Sequence, residues 1–413
     1  MSKSAILKVI LSRRMLVALI MGYAAGLPLE LTSSVLKTWM REQGVNLTVI
    51  GLFALVGLPY TLKFFQAPLL DRFSIPHLGR RRGWMLIFQF ALALSICTLG
   101  RTDPGRTPWL VALAAFFVTL FSASQDIVID AYRREDLADE ELGLGSSLYI
   151  AGYRTGMLLA ASGSLFLADH MGFPGAYTIM ALCLVPGVLT TLLTPEPPTP
   201  FGAPASLKEA VVQPFVEYFS RGSAVSILTF ILLYKIGDAM ASSMTAPFYI
   251  DLHFTKTEIA SVVKLFGFPP ILIGTAIGGL IMLRIGINRS LWIFGALQAV
   301  STAGFCILAH SGHSLPLLAA VIAFENLSSG MGTSAYTAFM ASITNKKFTA
   351  TQYALLSSLM GIPRVVASAG TGFLAQTMGW IGFFLFCTLI AIPGMLLLFK
   401  FAPLGGARQD SRR

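Results

Sequence analysis

Blocks of about 20 or more largely apolar residues recur along this chain from end to end, each long enough as a helix to cross a hydrocarbon core of about 30 Å. Inside lipid every backbone N–H and C=O must be bonded within the protein, so blocks of this length point to transmembrane α-helices. They divide into about twelve, expected near 15–38, 47–70, 83–100, 108–132, 143–168, 172–193, 223–250, 257–283, 289–309, 314–341, 350–376 and 380–402. With 55% hydrophobic residues, 12% charged residues and a mean hydropathy of +0.71, the chain is too apolar for a water-soluble globule. The expected class is an all-α polytopic membrane protein. Its first block runs on past Gly26 without a small-residue cleavage pattern, so Met1 is expected to remain. Cys97, Cys183, Cys306 and Cys387 all lie inside apolar blocks, without metal-ligand spacing or a disulfide framework, and read as packing residues.

A net charge of +10 would suit a nucleic-acid partner, but the positions of the charges argue otherwise. If the N-terminus is inside, the inner loops and tails hold Lys3, Lys8, Arg13, Arg14, Arg72, Arg80, Arg81, Arg82, Arg133, Arg134, Lys208, Arg221, Arg284, Arg289, Lys346, Lys347, Lys400, Arg408, Arg412 and Arg413, against Arg41, Arg101, Arg106 and Lys256 outside. Twenty to four is the positive-inside signature, which places both termini in the cytoplasm and makes the basic excess a topology signal. The lipid bilayer is the expected partner, and nucleic acid is not.

The chain also reads as two related halves. Gly152 and Arg154 answer to Gly361 and Arg364, Ala131-Tyr132 to Ala335-Tyr336, and Pro59 to Pro269, at an offset of roughly 205 to 210 residues that keeps order and equivalent spans. Between the halves, 194–222 opens with Pro195, Pro197, Pro198 and Pro200 and turns amphipathic around Leu207 to Phe219, a linker with a helix lying on the membrane. The expected domains are a six-helix bundle over 1–193, the cytoplasmic linker 194–222, and a second six-helix bundle with a basic tail over 223–413. This layout resembles the major facilitator fold, whose halves rock around a midplane site. The loop carrying Asp71-Arg72-Phe73 and Gly79-Arg80-Arg81-Arg82-Gly83 resembles that superfamily's motif between spans two and three, stretched by Ser74 to Leu78. The resemblance implies a cytoplasmic charge latch built on Asp71 and Arg72, while Arg80 to Arg82 read equally well as topology anchors.

Ionisable residues inside the spans are costly and need a use. They are Glu30, Lys63, Asp126, Asp130, Arg154, Lys235, Asp238, Lys264, Glu325 and Arg364, with Lys37 and Asp251 nearer the outer ends. Asp126 and Asp130 share a helix face at i, i+4, and Lys235 and Asp238 share one at i, i+3. Cations in both halves would suit an anionic substrate, and acids near a changing set of cations could bind and release a proton. Plainer readings stand beside these. Arg154 could brace Asp126 or Asp130, Lys235 and Asp238 could neutralise each other, Glu325 could bond a neighbouring helix, and Lys63 could snorkel to the inner surface. Glu30 follows Pro28 in a stretch expected to be broken, where unwound backbone could line a cavity. Tyr153 and Tyr234 each neighbour a buried cation and could stack on sugar faces. Gly22, Gly26, Gly152, Gly156, Gly163, Gly274, Gly278, Gly330 and Gly332 read as close helix contacts and bending points. No phosphate-binding glycine loop with a following lysine is present, which argues against an ATP-driven pump.

Several runs are more specific. Gly22-Tyr23-Ala24-Ala25-Gly26-Leu27-Pro28, Ser122-Ala123-Ser124-Gln125-Asp126-Ile127-Val128-Ile129-Asp130-Ala131, Gly152-Tyr153-Arg154, Leu233-Tyr234-Lys235-Ile236-Gly237-Asp238-Ala239, Glu325-Asn326-Leu327, Gly330-Met331-Gly332-Thr333 and Ala350-Thr351-Gln352-Tyr353-Ala354-Leu355-Leu356-Ser357 occur in order along nearly the whole chain. Together they resemble the AmpG-type anhydromuropeptide permeases, a family related to acetyl-coenzyme A transporters. The resemblance implies a bacterial inner-membrane importer, driven by the proton gradient. Its substrate would be N-acetylglucosamine linked to 1,6-anhydro-N-acetylmuramic acid, with or without a stem peptide, in cell-wall recycling and, in some bacteria, β-lactamase induction. On this reading Asp126 and Asp130 couple the proton, while Arg154, Lys235 and Lys264 hold substrate carboxylates. Asp238 then modulates Lys235, and Glu325, Tyr153, Tyr234 and Glu30 complete the substrate site.

The expected partners are a small sugar-peptide and protons, with no cofactor, no metal and a monomeric chain. The alternative within transport is another anion, such as an acyl-coenzyme A or a drug. An enzyme would need a nucleophile–base pair or metal ligands inside the spans, yet His77, His170, His253, His310 and His313 fall at loops or span ends. A non-transporting receptor would have little reason to bury so many charges.

Overall fold

The computed structural model describes residues 11–45, 47–198, 204, 206–255, 258–362 and 370–402, so the expectation for Arg364 lies outside the described residues. Among the described residues there is no β-strand, only an isolated bridge between Ile75 and Gly79. Eight helical runs are long and apolar enough to cross a membrane: Arg13–Glu42, Arg81–Gly100, Pro108–Asp136, Leu142–Leu193, Ala224–Asp251, Ser261–Ser311, Leu315–Ser342 and Thr371–Lys400.

Two of these runs are too long for a single crossing. Leu142–Leu193 and Ser261–Ser311 are interrupted at Gly172 and Gly286, whose φ of 74° and 80° take the backbone out of the right-handed helix region, as only glycine does cheaply. A β-carbon on Gly163 would touch Met180, so the chain folds back on itself at Gly172. Expected as one continuous helix, 47–70 is instead a chain of short helical pieces from Leu47–Leu52 to Ala67–Arg72. Gly51, Gly57, Pro59 and Pro68 supply the reason, since glycine weakens and proline interrupts the i to i−4 ladder.

The chain forms two compact units, Met1–Phe215 with Ala341–Ser358, and Val216–Met340 with Leu359–Arg413. In the first unit the helices Arg13–Thr32 and Leu142–Leu158 pack backbone to backbone. A methyl group on Gly22 or Gly26 would overlap the carbonyl of Tyr149 or Tyr153, and one on Gly152 or Gly156 the carbonyl of Leu19 or Tyr23. Four small residues therefore set the helix separation. Gly152→Ala is expected to destabilise the protein by about 1–3 kcal/mol, because the clash is with rigid backbone and outweighs the propensity gain of alanine. Thermal unfolding in detergent checks this; a melting temperature at or above the wild type would refute it.

Trp39 stacks on Phe173 at 5.1 Å in the same unit, and the Tyr177 hydroxyl donates to the Leu31 carbonyl at 2.7 Å. The second unit has an aromatic core in which Phe248, Phe305, Phe383 and Phe384 meet at 4.8 to 6.1 Å. Large apolar side chains such as Phe90, Leu94, Phe166, Ile307 and Phe373 point outward, as lipid-facing residues do.

Candidate functional site

Charged residues gather in three clusters, two in the first unit and one in the second. The first lies where helix Arg81–Gly100 begins. Arg81 is fully buried; its Nη2 donates to Asp71 Oδ1 at 2.8 Å and to Glu135 Oε1 at 2.6 Å, its Nε to Glu135 Oε2 at 3.0 Å, and its Nη1 to the Leu70 carbonyl at 3.1 Å. Arg80 adds a bond to Glu135 at 3.1 Å, and burial lowers its pKa from the ordinary arginine value. Asp71 turns its other oxygen to the start of helix Thr349–Leu359, accepting from the Thr351 amide at 2.8 Å and hydroxyl at 2.7 Å, while Oδ1 takes the Ala350 amide at 3.2 Å. A carboxylate from a distant segment thus satisfies amides that a helix N-terminus leaves open.

The same economy operates twice more nearby. Glu196 accepts from the Arg81 and Arg82 amides at 2.7 and 2.9 Å, capping Arg81–Gly100, and Arg82 donates to the Thr191 and Leu192 carbonyls at 3.1 and 2.9 Å, closing the end of Val185–Leu193. The expected latch pair was Asp71 with Arg72. In the structure the partner of Asp71 is Arg81, and Arg72 lies over the ring of Phe73 at 5.7 Å. The insertion of Ser74 to Leu78 accounts for the change of partner, because the turn it makes returns the chain with Arg80 and Arg81 facing inward.

The second cluster lies along the C-terminal half of Pro108–Asp136. Asp126 and Asp130 are both buried, on one face, but their partners differ. Asp130 Oδ1 accepts from Arg133 Nη2 at 3.0 Å. Arg133 also donates to Ser146 Oγ at 2.6 Å and to the Tyr353 hydroxyl at 3.0 Å, and it covers the Tyr149 ring at 4.6 Å. Asp126 Oδ1 has no hydrogen-bond partner among the described residues. Lys63, itself buried, and Asp130 interact with it electrostatically. Polar neighbours frame it: Tyr60 donates to Ser122 at 2.8 Å, Ser124 to Gln66 at 2.5 Å, and Gln125 to the Ala24 carbonyl at 3.2 Å. Tyr153 tilts against Tyr149 at 6.2 Å, and Arg154 is half-buried on the adjoining helix Leu142–Leu158.

Glu30 is helical, since Arg13–Thr32 continues through Pro28 and the backbone departs only at Ser33 (φ −112°, ψ −92°). Its carboxylate accepts from the hydroxyls of Ser33 and Ser34.

The third cluster belongs to the second unit. Lys235 Nζ lies 3.3 Å from Asp238 Oδ2. Glu325 is buried, accepts from Ser301 Oγ at 2.6 Å, and is in electrostatic contact with both Asp238 and Lys235. A cavity of about 10 Å³, water-sized, is lined by Tyr234, Asp238, Gln298 and Thr302 among others. Tyr234 gives its hydroxyl to the Leu291 carbonyl at 2.9 Å and stacks on Tyr336 at 5.5 Å, which makes it a packing residue here. Lys264 is exposed on the wide helical turn Ile259–Phe266.

The sequence reads Arg81 and Arg133 as loop charges, gives Glu135 and Glu196 no role, and offers Thr351 only as part of a family run. One signal was available: Arg133 follows Asp130 at i, i+3 on a helix, the spacing of an ion pair. The caps made by Asp71 and Glu196 join segments more than 100 residues apart and leave no local trace.

The sequence matches the profile of the Major Facilitator Superfamily over residues 15–367, with a second match over 233–412. It is 42% identical over 398 residues to the anhydromuropeptide permease of Escherichia coli K12, spanning 96% of this chain and 81% of that protein. A Haemophilus influenzae protein is 40% identical over 413 residues, spanning 96% of each. Among solved structures, the E. coli fucose:proton symporter superimposes with a TM-score of 0.74 at 14% identity, covering 97% of this chain and 100% of that one. The proton:xylose symporter XylE bound to 6-bromo-6-deoxy-D-glucose gives 0.69 at 13% identity, with 98% and 97% covered. These structures share the fold of about twelve helices, and the sequence relatives narrow the assignment. The chain belongs to the major facilitator superfamily and, within it, to the anhydromuropeptide permease family of multi-pass membrane transporters.

Proposed function

We propose that this transporter imports anhydromuropeptides across a bacterial inner membrane by alternating access, driven by the proton gradient, with both termini in the cytoplasm. The observation that carries this reading is the 42% identity, over nearly the whole chain, to a permease for that substrate class. The charged residues within the helical spans support it. A sugar-peptide with free carboxylates needs cations, and Arg154, Lys235 and Lys264 supply them, with Asp238 and Glu325 setting the charge around Lys235. Tyr153 and Glu30 complete the polar lining, and Tyr234 supports Lys235 through packing. Asp126 is the proton carrier, because an acid oxygen without a donor takes up a proton without breaking a bond, and Asp130 is its charged neighbour. Asp71 with Arg81 forms the cytoplasmic latch, next to Arg72. The protein acts as a monomer, without a cofactor.

Purified protein in liposomes should accumulate labelled anhydro-disaccharide when the outside is acidic, and accumulation should collapse with a protonophore. Uptake of another anion, such as an acyl-coenzyme A, in place of the anhydro-sugar would reject the substrate assignment. Uptake of the sugar that ignores the pH gradient would reject the coupling.

A further inference from the structure

Helix Thr349–Leu359 is fastened to the first unit at several places, among them Gln352, whose side-chain amide donates to the Pro214 carbonyl at 3.1 Å. Asp71 holds its first-turn amides, and one turn further on the Tyr353 hydroxyl accepts from Arg133 Nη2 at 3.0 Å, with the Tyr353 ring 5.6 Å from the guanidinium. That same nitrogen lies 3.0 Å from Asp130 Oδ1, so its two protons are divided between Asp130 and Tyr353. Ser146 Oγ accepts a hydrogen bond from Nη1 and the Tyr149 ring covers the guanidinium, which fixes its plane. The chain leaves the first unit at the end of this helix, since Ala341–Ser358 belongs to it and Leu359 onward belongs to the second.

We propose that Arg133 is a positioning residue that makes the hold on helix Thr349–Leu359 depend on the charge of Asp130. An ionised Asp130 anchors Nη2 so that its other proton meets Tyr353. Protonation removes the charge-assisted half of this arrangement and leaves the guanidinium free to turn from Tyr353. Among the attachments of this helix, this one runs through the acid pair Asp126 and Asp130. The groups facing Asp130 are Asp126 and Arg133 on its own helix, Lys63 from the broken segment 47–72, Tyr149 from Leu142–Leu158 and Tyr353 itself. From Arg13–Thr32 comes Arg14, which shares with Arg133 and Asp136 a cavity of about 10 Å³. The inference rests on the coupling reading only in taking the proton as the natural signal.

Hydrogen–deuterium exchange on the full chain in nanodiscs tests it without substrate. On going from mildly alkaline to mildly acidic buffer, and after correction for intrinsic exchange, the amides of 349–359 should exchange about tenfold faster in the wild type, the factor expected for one lost bond to a charged group. Tyr353→Phe keeps the ring and removes the acceptor, so it should exchange fast in both buffers. Asp130→Asn should do the same, whereas Asp126→Asn should keep the acid response. A response that persists unchanged in Tyr353→Phe comes from elsewhere, Asp71 included, and overturns the proposal, as does a wild type with no response. An absent response beside intact proton-linked uptake rejects this inference alone. An intact response in a protein whose uptake ignores the gradient rejects the coupling reading alone.

Discussion

Arg81→Met is expected to destabilise the protein by about 3–5 kcal/mol, the cost of removing one member of a buried ion cluster and leaving its partners charged. Arg81 and Asp71 are wholly inaccessible, and Glu135 nearly so. The guanidinium engages both acids and the Leu70 carbonyl through three different nitrogens. Arg80 reaches Glu135 but meets Asp71 only at its backbone carbonyl, 3.4 Å away, so it cannot take over. Lysine fails for a related reason, because an ammonium group lacks the planar fork that serves two carboxylates at once. Arg81→Lys should therefore recover less than half of the loss. The damage should extend to helix Thr349–Leu359, since an Asp71 without its arginine no longer has a fixed direction in which to present its oxygens to Ala350 and Thr351. Thermal unfolding of detergent-solubilised variants measures the effect. A loss below about 1 kcal/mol, typical of exposed pairs, would show that the cluster is solvated in the working protein.

Asp126→Asn should abolish uphill accumulation while leaving the protein folded and substrate exchange measurable. Asparagine has the shape of the acid and cannot titrate. Because Asp126 Oδ1 makes no hydrogen bond among the described residues, the substitution breaks none at that atom. Internal label should then approach the external concentration whatever the pH gradient, with preloaded vesicles still exchanging. Asp130→Asn is expected to behave differently. It removes the charge paired with Arg133 and leaves a buried cation with only neutral acceptors and aromatic faces, at a cost of about 3 kcal/mol in stability. Melting curves and gradient-driven uptake, run side by side, separate the two acids. Gradient-driven accumulation at the wild-type level in Asp126→Asn would end its assignment as the proton carrier.

Membrane class was legible in the sequence because it follows from apolar length alone, and a helix that crosses lipid satisfies its own backbone without help from the rest of the fold. Among the described residues the positions of most helices were readable for the same reason, with 47–72 the exception, where glycine and proline break the chain into short pieces. The candidate acids were readable too, since Asp126 and Asp130 share a helix face whatever packs around them. Their inequality was not. Which acid receives Arg133 depends on Tyr353, more than 200 residues away, and on Ser146 from a neighbouring helix.

The same holds for the latch. The sequence pairs Asp71 with Arg72 and leaves Arg81 as a topology anchor, and only the turn between them decides which is buried against Asp71. What the sequence alone determined is local and additive: span length, amphipathic phase, charge bias between the two sides. What the tertiary structure decided is pairing, because an ion pair in low dielectric is fixed by the few ångströms between partners that distant segments bring together.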